Sequence, residues 1–444
     1  MISEHPVPST MPTPQNRRPS FHRRILPWIY IVAFLAIAPA VIFYTSGYRY
    51  NTKKGKVERF STLIVDSNPT GATLFLDGQD TKDVTPSTIQ TVTPGTHLVS
   101  VSKPGYTSWQ KTLEMNAERA TFASDIWLWK ISDPTLRYPV KADAITASPD
   151  GATLIRVNVA TSTSILASDP LGTTIIPFTI PQPIATPVRW FWSTDSKRVL
   201  FESSTSTWLV DLQTRQSPLL LPSGTYRWAQ NAVIGTNGTT QTTISLPTLA
   251  ITQATLPNSS FDVAENGDEL RSATGTIDRI FVSRAQPLKG LVLPAGDWTF
   301  WKSTNTTQIF RDSTRWISIE TDTATPTSRM LTSNTLQTIP NTFDQPYLGI
   351  QNGEIWTWNP AVDPELLYRQ SEPIVDATWH HAGHDIFFAT PTTVVALNLD
   401  PRDGRTQTPL ATFDHITNIT VAGKELFIAG TKNAQTGVWA LKVE

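Results

Sequence analysis

The chain contains no cysteine. That excludes disulfides, thiol catalysis and cysteine-ligated metals. It does not exclude an oxidising compartment, because a large β body can hold together by core burial alone. Charge is scarce too: Asp, Glu, Lys and Arg make up 16% of 444 residues, and the net charge is −1. No global field therefore draws nucleic acid to the surface, and none is expected as a partner. Apolar residues at helical spacing are few outside one stretch, whereas Thr, Ser, Pro and 15 Trp are plentiful, which predicts an all-β body. Several catalytic signatures are missing: no Gly-x-Ser-x-Gly elbow, no His-Glu-x-x-His, no phosphate-cradling loop and no calcium loop.

The one apolar stretch is residues 25–44, which holds no charged residue and no Asn, Gln or Ser. At about 1.5 Å per residue it makes a helix of roughly 30 Å, the thickness of a bilayer's hydrocarbon core. Arg17, Arg18, Arg23 and Arg24 precede it, and Arg49, Lys53, Lys54, Lys56 and Arg59 follow it. Charge alone does not orient such a span, but a short tail is simple to leave inside, so the expectation is a cytoplasmic N-terminus. The layout read from the sequence is a disordered tail over 1–24, a single transmembrane helix over 25–48 with the lipid bilayer as its partner, and a basic linker over 49–60. The body lies outside the membrane. A cleaved signal peptide ending near Ala38-Pro39-Ala40 is the competing reading, and it also exports the body.

Residues 61–118 show about five short strands broken by turns, the pattern of a small β-sandwich. Asp77-Gly78 between apolar runs is a two-residue hairpin signal. The spaced elements Pro69, Gly71 and Ala72, then Asp77 and Gly78, then Pro86, then Pro94 and Gly95, then Gly105 and Tyr106, resemble the PEGA domain. Thr70 stands where the family's namesake tetrad has Glu, so the turn chemistry survives and that charge does not. The resemblance implies placement in a cell envelope beside other modules, and no catalytic role. These ten residues read as structural turn formers.

From residue 119 to 444 a looser repeat takes over. Ser148-Pro149-Asp150-Gly151, Ser193-Thr194-Asp195-Ser196 and His381-Ala382-Gly383 each sit between two hydrophobic strands. Turn positions 150, 195, 231, 266, 305, 352, 383 and 423 recur at about 40 residues, the period of a four-stranded propeller blade. The predicted body is a β-propeller of about seven blades, with one blade split across the closure and the strand near Ile126 to Trp129 completing it. Two stacked β-sandwiches are the alternative.

The densest group of ligand-type residues is His380, His381 and His384. Neutral imidazoles bind zinc or copper, but these three occupy a blade-turn slot, with Asp385 the only acidic residue beside them, so they read as a solvated turn. Asp150, Asp195 and Asp211 read as turn and strand-end caps. Trp298, Trp301, Trp356 and Trp358 fit either a sugar-stacking rim or inter-blade packing. Asn237, Asn258, Asn305 and Asn418 head glycosylation-type triplets. No catalytic, cofactor or metal residue is assigned. The expected work is binding or scaffolding at the cell envelope, with an envelope protein or wall polymer as partner. A propeller-type glycan hydrolase is the alternative, and it requires two carboxylates about 5–10 Å apart.

Overall fold

The computed structural model describes residues 21–45, 48–51, 56–184, 189–229, 231–237, 240–246, 248–255, 260–263, 269–273, 276–280, 298–303, 307–312, 314–320, 327–333, 336–337 and 346–444, with 294 and 296. Most of the expected tail, the turns at 266 and 305, and the triplets at 258 and 305 lie outside these residues. The one helix runs Phe21–Thr45, with Pro27 and Pro39 inside it. Its side chains are described for 26–39 and 41–42. Among the described residues no helix is long and apolar enough to cross a membrane. The helix ends at Thr45, short of the expected 48, and Tyr48–Asn51 pairs antiparallel with Lys56–Arg59 of the expected linker.

Two compact units follow from the chain's contacts. The first takes in Met1–Val101 and Gln110–Ile126, the second Ser102–Trp109 and Trp127–Glu444. Beyond the linker hairpin, the first unit carries seven strands in two sheets where about five were expected. One sheet runs Gln79–Val84, Thr73–Leu76, Gly95–Ser102, Trp109–Met115; the other runs Ser87–Val92, Ser61–Asn68, Ala120–Trp127. The last of these strands lies past the expected boundary, in the stretch that the repeat pattern covers. Alternating residues supply the core: Leu63, Val65, Leu74, Val99, Val101, Leu113 and Met115 are all almost fully buried. That is the period-two pattern of strands with one buried face.

The turns in this unit are tied to one another. Ser67 Oγ lies 2.6 Å from Thr85 Oγ1, and the Ala72 amide donates to the same Thr85 oxygen at 3.1 Å. The Gly71 amide donates to the Thr85 carbonyl at 2.7 Å, and the Thr85 amide donates to the Ala72 carbonyl at 2.9 Å. Asp77 and Gly78 both take positive φ, 51° and 76°, as a tight hairpin with left-handed central residues demands.

The second unit is a run of antiparallel sheets of neighbouring strands. Among the described residues, seven have four strands and one has three. The first sheet holds Ala144–Ala147, Leu154–Val159, Thr163–Ser168 and Ile175–Ile180; the second holds Arg189–Trp192, Arg198–Glu202, Thr207–Asp211 and Leu219–Leu220. The third starts at Thr225–Trp228, the three-stranded fourth at Ser260–Val263, the fifth at Thr299–Ser303, the sixth at Leu336–Gln337 and the seventh at Asp376–Trp379. The eighth is composite. His415–Ala422, Glu425–Lys432 and Gln435–Lys442 are joined by Thr135–Tyr138 from the opposite end of the array, with Thr135 opposite Ala440 and Leu136 opposite Trp439. The strand that completes it is thus Thr135–Tyr138, not the expected segment near Ile126 to Trp129, of which only Ile126 and Trp127 lie in a strand, the end of Ala120–Trp127.

Apolar clusters lie between consecutive sheets. Ile155 and Val157 of the first pack with Val199 and Phe201 of the second. Leu348 and Ile355 of the sixth meet Trp379 and Phe388 of the seventh. Phe387 and Val394 of the seventh meet Ile419 and Ile428 of the eighth. Ala422 and Phe427 of the eighth meet Ile145 and Leu154 of the first. The third sheet touches the fifth directly through their first strands. Arg311 of the fifth sheet, 1% exposed, reaches back to the second, lying over the Phe191 ring at 4.5 Å and donating to Glu202 at 2.8 Å. Each face of a sheet is apolar and cannot be buried alone, so neighbours stack.

Polar groups pin the meeting of the seventh, eighth and first sheets. Buried Asp376 accepts from Asn418 Nδ2 and from the Ile419 amide at 3.0 Å, while Asn418 Oδ1 accepts from the Ile145 amide at 2.8 Å. Asn418 is therefore committed to the core rather than presented for glycosylation. Burial pushes the Asp376 carboxyl up to about 7, against the backbone hydrogen bonds from Ile419 and Ala377 that favour the charge.

Thr85→Val keeps the shape of that side chain but leaves the Ser67 and Ala72 groups short of a partner. It should lower the stability of the first unit by about 1–3 kcal/mol in urea unfolding of the full chain. For Asp376 the folded value is raised, so its contribution is fully present below the ordinary value of 3.8 and is lost as pH rises towards about 7. Unfolding midpoints of the second unit should fall across that window, and Asp376→Asn should flatten the fall. An unchanged slope in the variant would refute the assignment.

Candidate functional site

The strongest convergence of chemically capable side chains lies beside the composite sheet. Three stretches build it. The first is the segment Trp127 to Lys130, which enters the second unit just ahead of Thr135–Tyr138. The Lys130 amide donates to the Val443 carbonyl at 3.2 Å, and the Trp129 amide to Thr107 Oγ1 at 3.0 Å. The second is the pair Val443 and Glu444, directly after Gln435–Lys442. The third is the turn that follows Asp376–Trp379, where the His380 amide donates to the Asp385 carbonyl at 3.0 Å and the Gly383 amide to the His380 carbonyl at 2.9 Å.

The geometry is specific. His380 Nε2 lies 3.3 Å and His381 Nδ1 3.1 Å from the same atom, Glu444 Oε1. Lys424 Nζ lies 3.5 Å from the other oxygen, Oε2. His380 is 0% exposed. Trp127 meets its ring edge-on at 4.3 Å, Trp129 at 5.2 Å and Phe387 at 5.7 Å. Its Nδ1 is buried and makes no hydrogen bond. His381 is partly exposed, its ring 4.2 Å from that of His380. His384 is exposed and is not one of the converging trio.

Burial pulls His380 below its usual value, and the nearby His381 and His384 add to this, opposed by the Glu444 contact. Burial pushes Glu444 up, but the hydrogen bond from His380 and the electrostatic pull of His381, His380 and Lys424 outweigh it, and the carboxyl ends below its usual value. The His380 contact is therefore a hydrogen bond from a neutral imidazole to a carboxylate. The set contains no nucleophile with a base beside it. It is a set of ligand-type donors: the three groups each bring a ligand atom to within 4.8 Å of the others.

The solvated turn expected for the histidines is thus corrected at His380. The missing acidic partner is not Asp385 but Glu444, the last residue of the chain, where local spacing cannot find it. The other singled-out residues do local work. Asp195 accepts from Ser193 Oγ and the Lys197 amide, and Asp211 from Arg198 and the Gln213 and Thr214 amides. The four tryptophans form no common rim. Trp358 is fully buried, Trp301 packs on Phe191 and Trp316, Trp356 donates to Glu354, and Trp298 donates to the Pro294 carbonyl.

Of the turn formers in the first unit, Pro69, Gly71, Ala72 and Pro86 surround the Thr85 contacts. Asp77 also accepts from the Leu98 amide at 3.0 Å and meets His97 Nδ1 at 2.7 Å, and Pro94 and Gly95 lead into that strand. Gly105 and Tyr106 sit in Ser102–Trp109, which counts with the second unit. There the Gly105 carbonyl accepts from Ile131, and Tyr106 bridges to Lys130.

Residues 60–125 match the family model of the PEGA domain, so the chain carries that domain. No curated protein matches the chain. Among solved structures it is similar to the C-terminal WD40 domain of Sif2, at 14% identity over 70% of this chain and 99% of that one, with a TM-score of 0.44. It is also similar to the β-propeller domain of Cps50 (Swd1) from Myceliophteria thermophila, at 10% identity over 70% and 100%, TM-score 0.37. A third likeness is apo AztD from Citrobacter koseri, at 11% identity over 65% and 98%, TM-score 0.40. The repeated sheet order, rather than these overlaps, carries the description of the second unit as propeller-like.

Because Glu444 titrates below its usual value, its contribution to stability is present above the ordinary 4.5 and is lost as pH falls through the lower folded value. Glu444→Gln should therefore lower the unfolding midpoint at neutral pH and show a weaker acid-side decline than the unmodified chain. Parallel acid-side curves would contradict the pairing.

Proposed function

We propose that the protein is a single-pass, membrane-anchored component of the cell envelope. In this reading it presents a PEGA domain and a propeller outside the membrane as a binding or scaffolding platform. The observation that carries the reading is the exposed apolar surface of Phe21–Thr45: Trp28, Ile29, Val32, Phe34, Leu35, Ile37 and Ile42 are each more than half exposed. A soluble surface rarely leaves so many large apolar side chains uncovered together, whereas lipid covers them at no cost. Twenty-five helical residues span about 37 Å in length, and the sequence run 25–44 within them carries no charged residue. The basic residues on both flanks and Trp28 and Tyr30 near one end fit the two interfaces.

The outer part of the reading rests on sheet order. The inter-sheet contacts pass from the first to the second and third, on to the fourth and fifth, and through the sixth, seventh and eighth back to the first. This supports a propeller-like ring of seven or eight sheets, with the three-stranded fourth sheet meeting both the third and the fifth. Ring closure leaves few open sheet edges and makes a rigid support for variable loops. An envelope protein or a wall polymer suits such a platform. Among the described residues, the carboxylates of Glu202, Asp211 and Asp312 are each held by an arginine.

Intact cells carrying tags at both termini provide the test, read by protease accessibility and by resistance to alkaline extraction. The reading expects an unextracted, full-mass chain whose body is digested and whose N-terminal tag is protected. Release by alkali without cleavage, or a body that stays protected after the outer layers are permeabilised, would refute it.

A further inference from the structure

We propose that His380, His381 and Glu444 bind one divalent transition-metal ion of the zinc class. Two imidazole nitrogens and a carboxylate oxygen form a borderline donor set, suited to zinc, copper or nickel and not to magnesium or calcium. Around a tetrahedral zinc with bonds of about 2.0–2.1 Å, two ligand atoms stand about 3.3 Å apart. The observed separations from Glu444 Oε1 are 3.3 Å to His380 Nε2 and 3.1 Å to His381 Nδ1. Two edges of the coordination polyhedron are therefore already set. Three protein ligands leave a fourth position open for water or a partner's side chain.

The repeat itself provides an independent reason. His380 occupies the same turn position as Ser148 and Ser193. In all three turns the residue's amide donates to the carbonyl five positions on, and its carbonyl accepts from the amide three positions on. At Ser148 and Ser193 the hydroxyl also caps the turn, accepting from the Thr153 amide at 2.9 Å and the Arg198 amide at 3.0 Å. A small hydroxyl is thus what the turn requires. His380 gives up that cap, and its fully buried ring, walled by Trp127, Trp129 and Phe387, reaches Glu444 instead. The ring is held in place before any ligand arrives, which lowers the ordering cost of binding. Lys424 is the present counter-charge. Its side chain is 82% exposed and reaches only Oε2, so it can withdraw into water and leave Oε1 to the metal.

The test uses the full-length chain in detergent, without a polyhistidine tag and stripped by chelator. Zinc binding is followed by calorimetry, and cobalt binding by visible absorption. The expected result is one ion per chain and a four- or five-coordinate cobalt spectrum. His381→Ala, at a partly exposed position that should not disturb folding, weakens binding by more than about tenfold. Glu444→Gln does the same. His384→Ala leaves affinity unchanged, and Lys424→Gln leaves it equal or tighter. Absence of saturable one-to-one binding overturns the proposal. So does wild-type affinity in His381→Ala, or an equal loss in His384→Ala.

Discussion

The architecture of the second unit depends on one long-range pairing, that of Thr135–Tyr138 with Gln435–Lys442. A sheet of three strands at the end of a repeat array would expose the edge of Gln435–Lys442 and leave its apolar neighbours half covered. Lending it a strand from the beginning of the array satisfies the edge and joins the two ends. The closure entropy of so long a loop grows only slowly with length. A short strand suffices because the flanking contacts reinforce it: Tyr138 and Ala142 are buried among Ala422, Phe427 and Val438, and Arg137 donates two hydrogen bonds to Glu425.

The same pairing assembles the chemistry. Trp127 and Trp129 arrive just before the borrowed strand, and Glu444 arrives just after the strand that receives it. His380 stands in the turn of the neighbouring seventh sheet, which packs on the eighth through Phe387, Val394, Ile419 and Ile428. The meeting of the seventh, eighth and first sheets is fixed on its polar side by Asp376, Asn418 and the Ile145 amide. An apolar seam could slide; a buried carboxylate with directional partners sets one register. Asp376 charges only near neutral pH, so the seam is tightest where the carboxyl keeps its proton.

Local chemistry was legible in the sequence, and distant chemistry was not. Asp77-Gly78 announced its turn because two successive left-handed residues favour that pair, and the Ser-x-Asp turns at Asp150 and Asp195 announced themselves by side chains that cap nearby amides. The regular recurrence of such turns was enough to foresee stacked four-stranded sheets, and most sheets of the second unit do have four strands. The partner of the split sheet was misplaced because Ile126 to Trp129 is the more apolar run, whereas Thr135–Tyr138 carries Thr135 and Arg137 and is identified only by its pairing with Gln435–Lys442. Glu444 escaped notice as the acid beside the histidines, as did the burial of Arg311 under Phe191, since neither partner is near in sequence. Asn418 had the look of a glycosylation triplet and is a core hydrogen-bonding residue, a distinction only burial makes.

Native-state hydrogen exchange on the composite sheet tests the central claim most directly. If the borrowed strand closes the array, the amides of Leu136 and Tyr138 should exchange together with those of Val438 and Ala440. Their rates should match the slowest core amides, which open only with the whole unit. Exchange of Leu136 and Tyr138 orders of magnitude faster than Val438 and Ala440 would show that the array holds together without that strand, and would contradict the account.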